Sequence, residues 1–111
     1  MIVSADERTQ IFRLQAELCK SLADPKRLMI IHALREGERS VSKLAEGLGL
    51  KQSNASQHLA VMRKAGIITP RRVGSTVYYS LVNPKIAEAC DLVRGVLADQ
   101  IQRNQSLAGG V

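Results

Sequence analysis

Aromatic side chains are nearly absent from this 111-residue chain, which has no Trp, one Phe and two Tyr. Leu, Ile, Val, Ala and Met must therefore fill the interior, since hydrophobic residues still make up 45% of the sequence. A chain of this length fits one domain with one thin core, a size at which oligomerisation often supplies the missing burial. Cysteine is scarce as well. Cys19 and Cys90 stand far apart with no CxxC spacing, which excludes a disulfide scaffold and a zinc knuckle. No window approaches about 18 uninterrupted apolar residues, and Met1 to Arg13 lacks the basic, apolar and cleavage regions of a signal peptide; a cytoplasmic location and no membrane partner are expected. Two histidines, no GxxxxGK[ST] loop and no HExxH pair leave no triad base, phosphate cradle or metal helix for an enzyme.

What is present is positive charge in one place. The net charge is +6, and its distribution is uneven. Residues 1–38 hold six basic and six acidic side chains and residues 86–111 net −1, whereas residues 39–85 carry eight basic residues against Glu46 alone. A basic segment between near-neutral flanks points to a polyanion. Nucleic acid is favoured over a membrane surface, because no amphipathic helix rich in Lys and Trp occurs.

Periodicity divides the chain into helices and one extended stretch. Ser4-Ala5-Asp6-Glu7 reads as a capping box opening a helix to about Ala23, with Ile11, Leu14, Leu18 and Leu22 as its apolar stripe. Asp24-Pro25 starts a second helix, ending near Gly37, with Leu28, Ile31 and Leu34 inward and Met29, Ile30 and His32 also in the core. A third runs from about Ser40 to Gly49 on Val41, Leu44, Ala45 and Leu48. Ser53 is then expected to cap a fourth that reaches Lys64 and stops at Gly66, with Ala55, Leu59 and Met62 inward and His58 at the edge of that face, packed or bonded to backbone. Two helices around a glycine turn, over about 40–65, form a helix-turn-helix. From Ile67 the pattern is extended. Gly74-Ser75 between two β-rich runs predicts a hairpin wing over about 67–81, with Pro70 on an edge strand. Asn83-Pro84 opens a last long helix bearing Ile86, Cys90, Val93, Leu97 and Ile101. The expectation is mainly α with a small β-hairpin, one domain over 1–105 and a disordered tail over 106–111.

On the fourth helix this leaves Ser53, Asn54, Ser56 and Gln57 facing outward, compact hydrogen-bonding side chains of the kind that reach base edges in a major groove. Gln57 and Asn54 suit adenine. Lys51, Gln52, Lys64 and Ser75 flank them, and Arg71 and Arg72 beside the hairpin turn suit phosphates or the minor groove. Each residue has a plainer alternative as a helix cap or solvated charge. It is the ordered combination that points to DNA.

Leu22-Ala23-Asp24-Pro25-Lys26-Arg27-Leu28, Leu44-Ala45-Glu46-Gly47-Leu48-Gly49, Gln52-Ser53-Asn54-Ala55-Ser56-Gln57-His58-Leu59 and Gly74-Ser75-Thr76-Val77-Tyr78-Tyr79 together resemble the ArsR/SmtB winged helix-turn-helix repressors over roughly Leu18 to Val93. The resemblance implies a homodimer through the N- and C-terminal helices, an inverted-repeat double-stranded DNA operator, and a repressor released by an inducer. The family's best-known metal positions fall here on Ser40 and Ser42, and on Asn83, Lys85, Val96 and Asp99, so zinc, cadmium or lead sensing through those ligands is not expected. The remaining candidate sensors are Cys19 and Cys90. They suit thiol-bound arsenite or another soft ion, or oxidation by reactive sulfur or oxygen species. The alternative is an inducer-independent DNA- or protein-binding module in which both cysteines are small core residues.

Overall fold

The computed structural model describes the backbone of residues 5–109 and the side chains of residues 6–105. The described elements are α1 (Ala5–Ser21), α2 (Pro25–Leu34), β1 (Arg39–Ser40), α3 (Val41–Leu48), α4 (Gln52–Lys64), β2 (Ile68–Val73), β3 (Thr76–Leu81) and α5 (Lys85–Gly109). The expected cap at Ser4 lies outside the described residues, and the tail expected over 106–111 lies where side chains are not described.

Two helix starts form on the side chains that the sequence predicts, and Ser40 supplies a third cap. Asp24 Oδ1 accepts the Lys26 backbone N–H at 2.8 Å, with Pro25 at the position where a missing N–H costs nothing. Ser40 Oγ accepts the Lys43 N–H at 3.2 Å, and Asn83 Oδ1 accepts that of Lys85 at 3.0 Å. Gly49, at φ 65°, closes α3 in the left-handed conformation that glycine adopts without a Cβ clash. Two helices end earlier than expected. At the end of α1 the Ala23 N–H bonds to Lys20 at 3.2 Å and that of Asp24 to Leu22 at 2.8 Å, tightening the turn so that the chain can reverse into α2. After Leu34 a turn centred on Glu36-Gly37 feeds β1 rather than extending α2.

The sheet has the order β1-β3-β2, all antiparallel. β1 was not expected, because two residues are too few to show an alternating pattern. β2 pairs only with β3, so Pro70 does lie on an edge. Val73 pairs with Thr76 across Gly74-Ser75, and Gly74 at φ 61° suits the first central position of a type II′ turn, whose twist matches the strands it joins.

Ile30, Ile31, Leu44, Leu59, Met62 and Ile68 are the largest fully buried side chains. They weld α2, α3, α4 and the base of the sheet into one core. Three expectations for α2 are corrected. Leu28 is 39% and Met29 43% exposed, and His32 is exposed too, because α2 turns Ile30, Ile31 and Leu34 inward and its other apolar side toward a groove described below. With no side chain to refill its place, Leu59→Ala should lower unfolding stability by about 2–5 kcal/mol, and Ser40→Ala by about 1 kcal/mol, in urea titrations at fixed protein concentration. A loss under about 1 kcal/mol at Leu59 would contradict this packing.

Candidate nucleic-acid interface

Helix α4 is anchored by one face. Ala55, Leu59 and Met62 are each 0% exposed, while Gln52, Ser53, Asn54, Ser56, Gln57 and Lys64 are exposed. The expectation that Ser53 caps α4 is corrected. The Lys51 carbonyl accepts the Ala55 N–H at 3.0 Å, which makes Lys51 the cap position, with no side-chain cap bond. Ser53 therefore lies in the first turn with its hydroxyl outward. The uncapped amides at this end carry the partial positive charge of the helix terminus, a setting that suits an anion.

The hairpin β2–β3 carries Arg71, Arg72 and Ser75, all exposed. Adjacent strand residues point to opposite faces, so the two arginines have different neighbours. Arg71 is opposite Tyr78 in the register and lies over its ring at 5.4 Å. Its guanidinium forms a two-point ion pair with Glu38, with Nε donating to Oε2 at 3.0 Å and the second donor reaching Oε1. The hydrogen bond from Arg71 holds the Glu38 carboxyl below its ordinary value, and Glu38 in turn raises Arg71. Arg72 has no ion pair among the described residues. Sequence reading missed Glu38, since nothing in its local pattern shows a partner 33 positions away.

Behind α4, Arg27 Nε donates to His58 Nδ1 at 3.2 Å, and a second Arg27 nitrogen donates to the Ser21 carbonyl at 3.1 Å. His58 is thus half-buried and bonded to a side chain of α2.

A groove of about 1030 Å³ runs between α1, α2 and α5. Its walls are mainly apolar, and Cys19, Cys90, His32 and Arg94 also line it. Cys19 is exposed and Cys90 half-buried, both as free thiols. Burial pushes the Cys90 thiol up against the opposing pull of Arg94, and Cys19 is close enough to add to the rise. Arg94 is ion-paired with Asp91, which also meets Arg35 at 2.8 Å. No group of three potential metal ligands occurs among the described residues, and no described helix is long and apolar enough to cross a membrane.

A helix-turn-helix whose second helix turns a polar face outward, followed by a basic hairpin, defines a winged helix-turn-helix DNA-binding protein. Residues 24–69 match the family described as bacterial regulatory protein, arsR family. The HTH-type transcriptional regulator Rv0081 of Mycobacterium tuberculosis is 43% identical over 93 residues, 83% of this chain and 82% of that one; its crystal structure has a TM-score of 0.74 and covers 85% of this chain and 95% of its own. A homodimeric winged helix-turn-helix domain from Mycobacterium bovis, Mb0332, has a TM-score of 0.78 at 28% identity, covering 93% of this chain and 95% of that one. A probable mercury resistance operon repressor of Streptomyces lividans is 33% identical over 84 residues, 76% of this chain and 67% of its own. The chain belongs to the ArsR family of DNA-binding transcriptional regulators and is not an enzyme.

The Glu38–Arg71 pair makes a pH prediction. A carboxyl lowered in the folded state stabilises above its unfolded value and loses that contribution as pH falls through the folded one. The hairpin should be tied at pH 7 and loosen as pH drops below about 4.5, the ordinary carboxyl value. The protection factor of the Tyr78 amide, its exchange relative to the intrinsic rate at the same pH, should fall with that change, and Glu38→Gln should show the lowered protection at neutral pH. A protection factor that ignores acid and is equal in both proteins would refute the tie.

Proposed function

We propose that the protein is a homodimeric transcriptional repressor that binds an inverted-repeat operator in the cytoplasm and is released when an inducer acts on Cys19 and Cys90. The observation carrying the DNA-reading half is α4 itself: Ser53, Asn54, Ser56 and Gln57 are exposed on a helix whose opposite stripe is sealed in the core. In this reading Asn54 and Gln57 bond base edges, Gln52, Ser53 and Ser56 fit the groove wall, and Lys51, Lys64, Arg72 and Ser75 meet the backbone. Arg71 serves the same wing while held by Glu38. Supporting the dimer are exposed apolar residues on α1 (Ile11, Phe12, Leu14) and on α5 (Leu92, Val96, Ile101), since clustered exposed apolar residues mark interaction surfaces, and the homodimeric state of Mb0332.

For the sensing half, two free thiols line one groove beside the helices of this interface. A soft metalloid such as arsenite, or an oxidised sulfur species, is the chemical class that suits two thiols without a nitrogen or carboxylate set. The mercury-resistance name of the Streptomyces relative points the same way. One observation favours the alternative of structural cysteines: burial raises the Cys90 thiol and so disfavours the reactive thiolate.

Binding to a duplex selected from random sequence should weaken steeply with salt, by about 0.9 in log K per log salt for each phosphate neutralised. Arg72→Ala should weaken selected and scrambled duplexes alike, whereas Gln57→Ala should cost about 1–3 kcal/mol on the selected duplex only. Equal losses on both duplexes from both variants would refute the division of roles. Arsenite or persulfide should release the wild-type protein from DNA. A Cys19→Ser, Cys90→Ser variant that is still released would refute the thiol sensor and leave the inducer-independent reading.

A further inference from the structure

One guanidinium joins the end of α1 to the DNA-reading helix. Arg27 sits in the first turn of α2, where the Asp24 carboxylate accepts its backbone N–H at 3.4 Å. From that fixed base its side chain donates forward to His58 Nδ1 on α4 at 3.2 Å and back to the carbonyl of Ser21, the last residue of α1, at 3.1 Å. All four residues are half-buried, so these bonds are partly shielded from competing water. Ser21 is itself fixed, its hydroxyl donating to the Leu18 carbonyl at 2.7 Å, and the Cys19 carbonyl receives the Leu22 N–H at 3.1 Å. His58 follows Gln57 directly in sequence and lies at the edge of the buried face of α4, between exposed Asn54 and buried Met62. A lysine at position 27 would keep the charge but not the planar fork that reaches two acceptors in fixed directions. The acceptor role of Nδ1 requires the neutral imidazole with its proton on Nε2.

We propose that Arg27 is a positioning residue for DNA recognition: by tying His58 to the end of α1 it adjusts the rotation of α4 within the range its buried stripe allows, and it carries a displacement of α1 to the residues from Ser53 to Gln57. Contact with DNA by Arg27 or His58 is no part of this role. The inference rests on the reading that the outer face of α4 meets base edges, and it adds the route by which the α1 end, with Cys19 in its last turn, reaches that face.

Operator affinity of the full-length protein tests it in variants whose urea midpoints are measured alongside. Arg27→Gln and His58→Leu should each raise the Kd for the selected duplex about 5- to 20-fold, as expected for losing a half-buried bond to a charged donor, and leave the scrambled duplex and the salt slope unchanged. Because both remove one tie, the double variant should lose no more than either single. His58→Asn, which places an acceptor oxygen near the position of Nδ1, should recover most of the loss. Nitrogen NMR of the His58 ring should show the Nε2–H tautomer in the wild type and a shifted Nδ1 signal in Arg27→Gln. Equal weakening on both duplexes would make Arg27 a phosphate contact and overturn the proposal. Additive losses, failure of His58→Asn to recover binding, or an Nδ1 signal that ignores Arg27 would each overturn it as well. If Gln57→Ala does not alter specificity while the Nδ1 signal still depends on Arg27, the base-reading assignment of α4 has failed and not the tie.

Discussion

The offer of a polar surface to DNA depends on Ala55, Leu59 and Met62 staying wholly out of water. A helix turns by about 100° per residue, so a shift of this stripe by one position would swing Gln57 and Asn54 a quarter turn or more away from their present direction. Close packing forbids that shift, because an interior at crystal-like density accepts each side chain in one place. Rigidity of the inner face is what gives the outer face a direction. The same constraint explains why the outer side chains can be short. They need only reach from a helix whose axis is already fixed by the core, and short side chains lose little rotamer freedom on binding.

The apolar residues left over after this core is built are not scattered. The only Phe of the chain, Phe12, is 68% exposed, and Leu92 on α5 is 75% exposed. Together with Ile11, Leu14, Val96 and Ile101 they leave both terminal helices with apolar faces that the single chain cannot cover. A sequence so poor in aromatics fills a small core with aliphatic side chains and leaves apolar surface over. In the proposed dimer a partner helix covers it, and burial between subunits adds stability that a chain of this size has trouble providing alone. The same arrangement puts the helices of that interface next to the groove that holds the two thiols.

Features governed by local rules were legible in the sequence. Asp24 and Asn83 cap helices because their short oxygens lie next to free amides, and Gly74-Ser75 turns because glycine accepts a positive φ. The inward stripe of α4 followed from spacing alone. Contacts across long separations were not legible. Glu38 and Arg71, or Arg27 and His58, carry no mark in the one-dimensional pattern that distinguishes a bonded charge from a solvated one. The error at Ser53 had the same origin in miniature. Lys51 takes the cap position because the preceding turn through Gly49 and Leu50 brings its carbonyl into line, with the Leu50 N–H bonded to Ala45 at 2.9 Å, and tertiary geometry of that kind overrides the preference of a serine hydroxyl. His32 was misjudged because apolar neighbours on α2 mark two faces, one in the core and one along the groove.

In the proposed sensor, the groove electrostatics bear on how the two cysteines would stay quiet before an inducer arrives. A thiol reacts as its thiolate, and burial of Cys90 works against that form. Arg94 is the group placed to reverse this, since its charge favours the Cys90 thiolate. Its guanidinium is held by Asp91, whose other oxygen engages Arg35 from the end of α2, and the bond from Arg94 keeps the Asp91 carboxyl lowered and charged. While the triad holds, Asp91 offsets much of the field that Arg94 would exert on the sulfur. Any motion that parts α2 from α5 loosens Arg35 and redistributes that charge beside Cys90. In the proposed sensor, thiol reactivity and the spacing of α2 and α5 would therefore be linked, and by reciprocity a ligand held on both thiols would bias that spacing.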